Sequence, residues 1–189
     1  MNKEMLKPLA GKVWLFALIL VIGSALLVLP ALEHIFILGD IIYGAIFMSL
    51  LYMAIYMRDA AYAFEGDERV LMKDIAMGFS LMMMGMVVEK FGSIIPATII
   101  WDLAFGILFL LGAMKLMSAF GKLKDSTIFP DAKAAGTLKL AGIFFVVVGA
   151  LGILYAIPAL GFIFGIFYKI FLLVAAIVFL VGWGKIKNA

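Results

Sequence analysis

The eighteen residues from Leu140 to Ile157 carry no charge at all, and the chain holds five more stretches of nearly the same character. They are Val13–Leu29, a second within Ile35–Met57, a third within Ile75–Ile95, a fourth at about Ala97–Met114, and a last at Leu160–Trp183. A run of about 18–20 apolar residues is the length that crosses a hydrocarbon core of about 30 Å as a helix. Mean hydropathy is +1.22 and charged residues are 14% of the chain, against about 25% in a soluble domain. The sequence predicts an all-α integral membrane protein, one transmembrane domain over residues 1–189 with the lipid bilayer as its solvent. Little chain remains for an extramembrane catalytic module.

The six stretches fall into copies. Gly23, Pro30, Asp40 and Gly44 are followed by Gly85, Pro96, Asp102 and Gly106; Asp40 to Asp102 and Gly44 to Gly106 are both 62 residues apart, and Gly149 and Pro158 begin a third copy. Self-similarity at a fixed period marks one supersecondary unit repeated in tandem. The expected architecture is three helical hairpins at about 12–58, 73–121 and 138–187, each turning at its proline, with helices ending near Leu29, Ile95 and Ile157 because proline disfavours helix in the residue before it. A basic tail ahead of Val13–Leu29 also resembles a signal peptide. Cleavage there would leave the first hairpin with one helix, so the stretch reads as a retained span.

Of 15 lysines and arginines, 13 fall on one side of this arrangement, in the N-terminal tail, in the two connections between hairpins and in the C-terminal tail. Only Lys90 and Lys169 lie on the other side. The positive-inside rule then places both termini and both connections in the cytoplasm of a cell-membrane protein, and every proline turn outside, so the copies are parallel. The net charge of +3 reflects topology and attraction to anionic lipid, with no nucleic-acid partner. Trp14 and Trp183 are expected at the inner interface and Trp101 nearer the outer one.

With no cysteine and the single histidine His34, disulfides, thiol catalysis and the usual zinc sites are excluded. No cofactor, metal site or catalytic residue is expected. Phe64–Arg69 reads as a compact acidic loop and Lys122–Lys139 as a basic linker; neither carries a phosphate-cradling glycine loop or a nucleophile with its base. Met82, Met83, Met84 and Met86 read as packing.

Ionisable groups at membrane depth are costly and hence functional candidates. Counted along a helix at 1.5 Å per residue from the nearest cytoplasmic base, Asp40, Glu89, Asp102 and Lys169 all fall in the outer third, at about 20–27 Å. With Lys90 and His34 they form a candidate titratable or ion site, and Glu33 beside them reads as a turn residue. The plainer reading is that they pair with one another or reach to the interface. Gly23, Gly44, Gly85, Gly106 and Gly149 are expected to let helices approach closely. Gly161 and Gly165 form a GxxxG pair that permits such contact within the chain or with a second copy.

The stretch Gly23-Ser-Ala-Leu-Leu-Val-Leu-Pro30, followed by Gly39-Asp40 and Gly44, resembles the HdeD acid-resistance membrane proteins, which are likewise built from short hairpin repeats. The regions Gly85–Gly106 and Gly149–Lys169 follow the same pattern more loosely. Val87–Gly92 is similar to the small YidH-like membrane family, but the Trp-Arg-Thr element of that family is missing. The HdeD resemblance implies a non-enzymatic role in acid or envelope stress. A small proton- or ion-coupled transporter using Asp40 and Asp102, and an accessory subunit of a larger membrane complex, are the alternatives.

Overall fold

In the computed structural model, which describes residues 3–29, 36–92, 98–126 and 132–188, the chain is all-helical with no strand among those residues. The helices are α1 (Lys3–Leu27), α2 (Phe36–Ala63), α3 (Gly66–Gly92), α4 (Thr98–Leu123), α5 (Ala132–Tyr155) and α6 (Gly161–Asn188). All six are long and apolar enough to cross a membrane. Pro30, Pro96, Glu33 and His34 lie outside the described residues. The third turn is described, and there α5 ends at Tyr155, three residues before Pro158.

Every helix runs past its apolar stretch at the end that carries the termini. The expected loop at Phe64–Arg69 is corrected: only Phe64 and Glu65 separate α2 from α3, and Asp67, Glu68 and Arg69 belong to the first turns of α3. Asp67 and Glu68 suit that position because carboxylates favour the positive end of the helix dipole. The reversal is made at Gly66, whose φ of 59° is a left-handed value that only glycine adopts without strain. Arg69 Nε closes the turn by donating to the Phe64 carbonyl at 2.8 Å. The basic linker is corrected likewise, since Lys122, Lys133 and Lys139 are helical. Hydropathy stops at the first charge, whereas backbone hydrogen bonding continues through Lys, Ala and Leu, all good helix formers.

Each helix packs against its neighbours in sequence, and α1 packs against α6, so the six close into a ring. No other helix pair makes more than side-chain contact among the described residues. The ring has a terminal end, where the termini and the α2–α3 reversal lie, and a turn end, where the three hairpins turn. The α3–α4 and α4–α5 interfaces are the most extensive and α1–α2 the thinnest. Packing therefore does not respect the hairpins, since α4–α5 joins two of them.

Glycine explains this distribution. A Cβ at Gly112 would lie 2.5 Å from the Gly78 carbonyl oxygen, and one at Gly149 would lie 2.6 Å from Leu110 Cα. One at Gly106 would lie 2.6 Å from the backbone nitrogen of Ile153. The backbones of α3, α4 and α5 thus touch directly, as small residues permit in lipid, where apolar burial no longer draws helices together. Gly85 against Phe105 and Gly23 against Ile46 also stand at helix contacts. Gly44 does not: nothing lies within 4 Å of where its Cβ would be, so its expected packing role is corrected.

The ring is filled by aromatics at the terminal end. Phe179 of α6 meets Phe79 of α3, Phe120 of α4 and Phe145 of α5 at ring-centroid distances of 5.7, 6.0 and 6.0 Å. Trp183, also fully buried, adds a fourth contact at 6.2 Å, which corrects its expected interfacial placement. Trp14 is partly exposed, with Lys187 Nζ 4.1 Å from its ring centroid. Met82 and Met86 are buried as packing residues, whereas Met84 faces outward. Between its two ends the outer surface of the ring is mostly apolar, up to Phe162 at 84% exposure, the pattern of a helix bundle whose solvent is lipid.

Gly149→Ala should lower stability by about 1–3 kcal/mol, the cost of overpacking, whereas Gly44→Ala should stay within about 0.5 kcal/mol of wild type. Thermal unfolding in mild detergent measures both. Equal losses at the two positions would contradict the glycine contacts described above.

Candidate functional site

Asp40 is the fifth residue of α2 and Asp102 the fifth of α4; the fifth of α6 is Gly165. The 62-residue period therefore survives as a structural register from α2 to α4, and α6 continues it at a spacing of 63. Three positions further on, the same register gives Tyr43, Phe105 and Tyr168, an aromatic side chain at the eighth position of each returning helix. Tyr43 and Tyr168 face a cavity of about 10 Å³ inside the turn half of the ring, and Phe105 packs edge-on against Tyr168 at 5.9 Å. Every helix contributes to the cavity wall: Leu27, Tyr43, Met86, Phe109, Phe145 and Tyr168 are one residue from each. Such a volume holds about one water molecule. The aromatic cluster around Phe179 lies between it and the terminal end.

The polar groups of the site come from α2 and α3. Glu89, partly buried, accepts a hydrogen bond from the Tyr43 hydroxyl. Next to it, Lys90 Nζ donates to Asp40 Oδ1 at 2.6 Å and sits 4.8 Å from the centroid of the Tyr43 ring. Asp40 and Tyr43 share a helix face because residues three apart are neighbours there. Glu89 and Lys90 are adjacent in sequence and so diverge by about 100° around α3. One reaches Tyr43 from the cavity side, the other Asp40 from outside, where both partners of the ion pair remain about half exposed.

The expected site is thus assembled in part. Asp40, Lys90 and Glu89 are brought together. Asp102 lies on the neighbouring helix within electrostatic reach of Glu89 and Tyr43, but has no hydrogen bond or ion pair among the described residues. Its isolation follows from the register: the position 62 residues after Lys90 is 152, and Gly152 packs there against Phe105 and Gly106. Lys169 belongs to α6, whose backbone packs against α5 and α1 and not against α2 or α3, which hold the Asp40–Lys90 pair. His34 lies outside the described residues. Gly161 and Gly165 face inward on Tyr155 of α5, at 3.0 and 3.1 Å from where their Cβ atoms would be, so this GxxxG serves a contact within the chain.

Tyr43 and Tyr168 were not singled out by the sequence reasoning. The signal was their shared place in the repeat, hidden because 14% of the chain is aromatic. A second ion pair, Lys115 with Asp74 at 2.8 Å, ties α3 to α4 nearer the terminal end. Among the described residues no group of three potential metal ligands occurs.

Comparison of the chain with protein-family models, with curated proteins and with solved structures finds no match.

Chemically, the site sets an acceptor-only carboxylate against a phenol at the rim of a small enclosed space. Protonation turns that carboxylate into a donor and removes its charge. Tyr43→Phe should cost about 1–3 kcal/mol, since it leaves Glu89 without its donor. A double-mutant cycle on the half-exposed Asp40–Lys90 pair should give only about 0.2–1 kcal/mol of coupling. Unfolding of the single and double variants in detergent checks the order; a larger coupling for Asp40–Lys90 than the Tyr43→Phe loss would reverse the ranking.

Proposed function

We propose that the chain is a non-enzymatic, multi-pass protein of the cell membrane that responds to protons at its turn end, in the manner of the HdeD-like proteins it resembles. The observation that carries this reading is the Tyr43–Glu89 hydrogen bond at the rim of a cavity to which all six helices contribute. Around it stand Asp40, Lys90 and Asp102, so four of the chain's ionisable side chains converge where the sequence is otherwise apolar. An ionisable group retained at membrane depth has to offset its desolvation, and a role in proton exchange gives a reason to keep it. The distribution of 13 of 15 basic residues supports a cytoplasmic terminal end and hence an extracytoplasmic turn end. Glu89 would then face the compartment that acidifies.

In vesicles, acidification should produce the infrared band of a protonated carboxyl group, and Glu89→Gln should remove part of it. Deletion of the protein should reduce survival of its host in acid, with Glu89→Gln failing to restore it. A spectrum that does not change between neutral and acid pH would sink the reading.

Asp102, without an ion-pair partner among the described residues, favours proton- or ion-coupled transport as a second reading. That reading requires flux through reconstituted vesicles, abolished by Asp102→Asn. The aromatic cluster at Phe179 favours the first, because it fills the centre of the ring with apolar side chains between the cavity and the terminal end.

A further inference from the structure

The three hairpins meet at three seams, and these are chemically unlike. The α4–α5 seam is fastened backbone to backbone by Gly106, Gly142 and Gly149. At the α6–α1 seam Trp14 packs on Gly184 and is capped by Lys187. At the α2–α3 seam Gly44 of α2 faces open space, and Gly78, Gly85 and Gly92 of α3 are all turned toward α4. The turn end of this seam is joined instead by charge, through Asp40–Lys90, Tyr43–Glu89 and the Lys90 ammonium over the Tyr43 ring. At the opposite end the same two helices are tied by two residues and the left-handed Gly66.

We infer that α2 and α3 form a proton-released latch, hinged at Gly66 and closed at the turn end by these ionic contacts, whose release opens the ring sideways into the cavity. The inference rests on the proton-responsive reading given above and adds to it the part that moves. Protonation of Asp40 dissolves its ion pair with Lys90. Protonation of Glu89 replaces a charge-assisted hydrogen bond with a neutral one of roughly half the strength. Among the described residues the other ionisable groups facing Glu89 are Asp102 from α4 and Tyr168 from α6, with Tyr155 beside Tyr168. Asp102 adds like charge, so it opposes the ionised, closed state and does not hold it. Opening is levered: Glu89 lies 23 residues from Gly66 along α3. At 1.5 Å per residue the arm is about 34 Å, and a tilt of about 10° moves the turn end by about 6 Å.

The chain has no cysteine, so spin labels can be placed at will. Labels at Ile41→Cys and Met84→Cys, both outward-facing on α2 and α3, report the latch; labels at Ile107→Cys and Ala150→Cys report the α4–α5 seam. In lipid nanodiscs the α2–α3 distance should lengthen by about 6 Å on acidification while the α4–α5 distance holds. The double variant Asp40→Asn, Glu89→Gln should show the longer distance already at neutral pH. The same samples are followed by infrared spectroscopy. A protonated-carboxyl band without lengthening overturns the latch and leaves the proton-responsive reading standing; absence of both rejects the two together. Lengthening at both seams, or lengthening without the carboxyl band, also overturns the latch.

Discussion

Direct backbone contact between α3, α4 and α5 is the constraint on which the rest of the architecture depends. In water these helices would associate by hiding apolar faces; in lipid that drive is absent, and close packing must replace it. Gly78 against Gly112, and Gly106 and Gly149 against α5 and α4, bring three helices near enough for dispersion to act along their whole length. The remaining helices then complete a ring around a centre too narrow for lipid and filled by Phe179 and its neighbours.

That close contact explains why the Asp40–Lys90 and Tyr43–Glu89 pairs stand at the α2–α3 seam. Where glycine permits backbone contact there is no room for an ionisable side chain, and the repeat shows the exchange position by position. Lys90 stands where its counterpart one copy later is Gly152, and Glu89 where the counterpart is Leu151. One seam is close and apolar, the other wider and charged. Copies of a single unit have thereby diverged into a fixed joint and a labile one.

Class, span count and the repeat were legible in the sequence because each rests on a property that lipid enforces: uncharged length, basic asymmetry, and small residues at fixed spacing. The helix ends at the terminal end were not, since hydropathy falls at Lys115 and Arg58 while the backbone ladder continues to Leu123 and Ala63. Of the site, Asp40, Glu89, Lys90 and Asp102 were found as charges in an apolar field. Their pairing was not readable, because it depends on which faces of α2 and α3 meet. Tyr43 and Tyr168 escaped notice for a related reason: a phenol in an aromatic-rich span looks like packing until its hydroxyl has a partner. Trp183 was misplaced by a rule about interfaces that yields when a ring has an interior to fill.

The position of Phe179 in the last helix bears on how such a chain is assembled. Helices enter the membrane in chain order, and until α6 arrives the first five form an open arc whose centre holds no hub. Phe79, Phe120 and Phe145 would line that vacancy together, facing lipid or one another. The final helix therefore acts as a keystone: it seats Phe179 and Trp183 in the same step that joins α6 to α1, so closing the circle and filling it are one event.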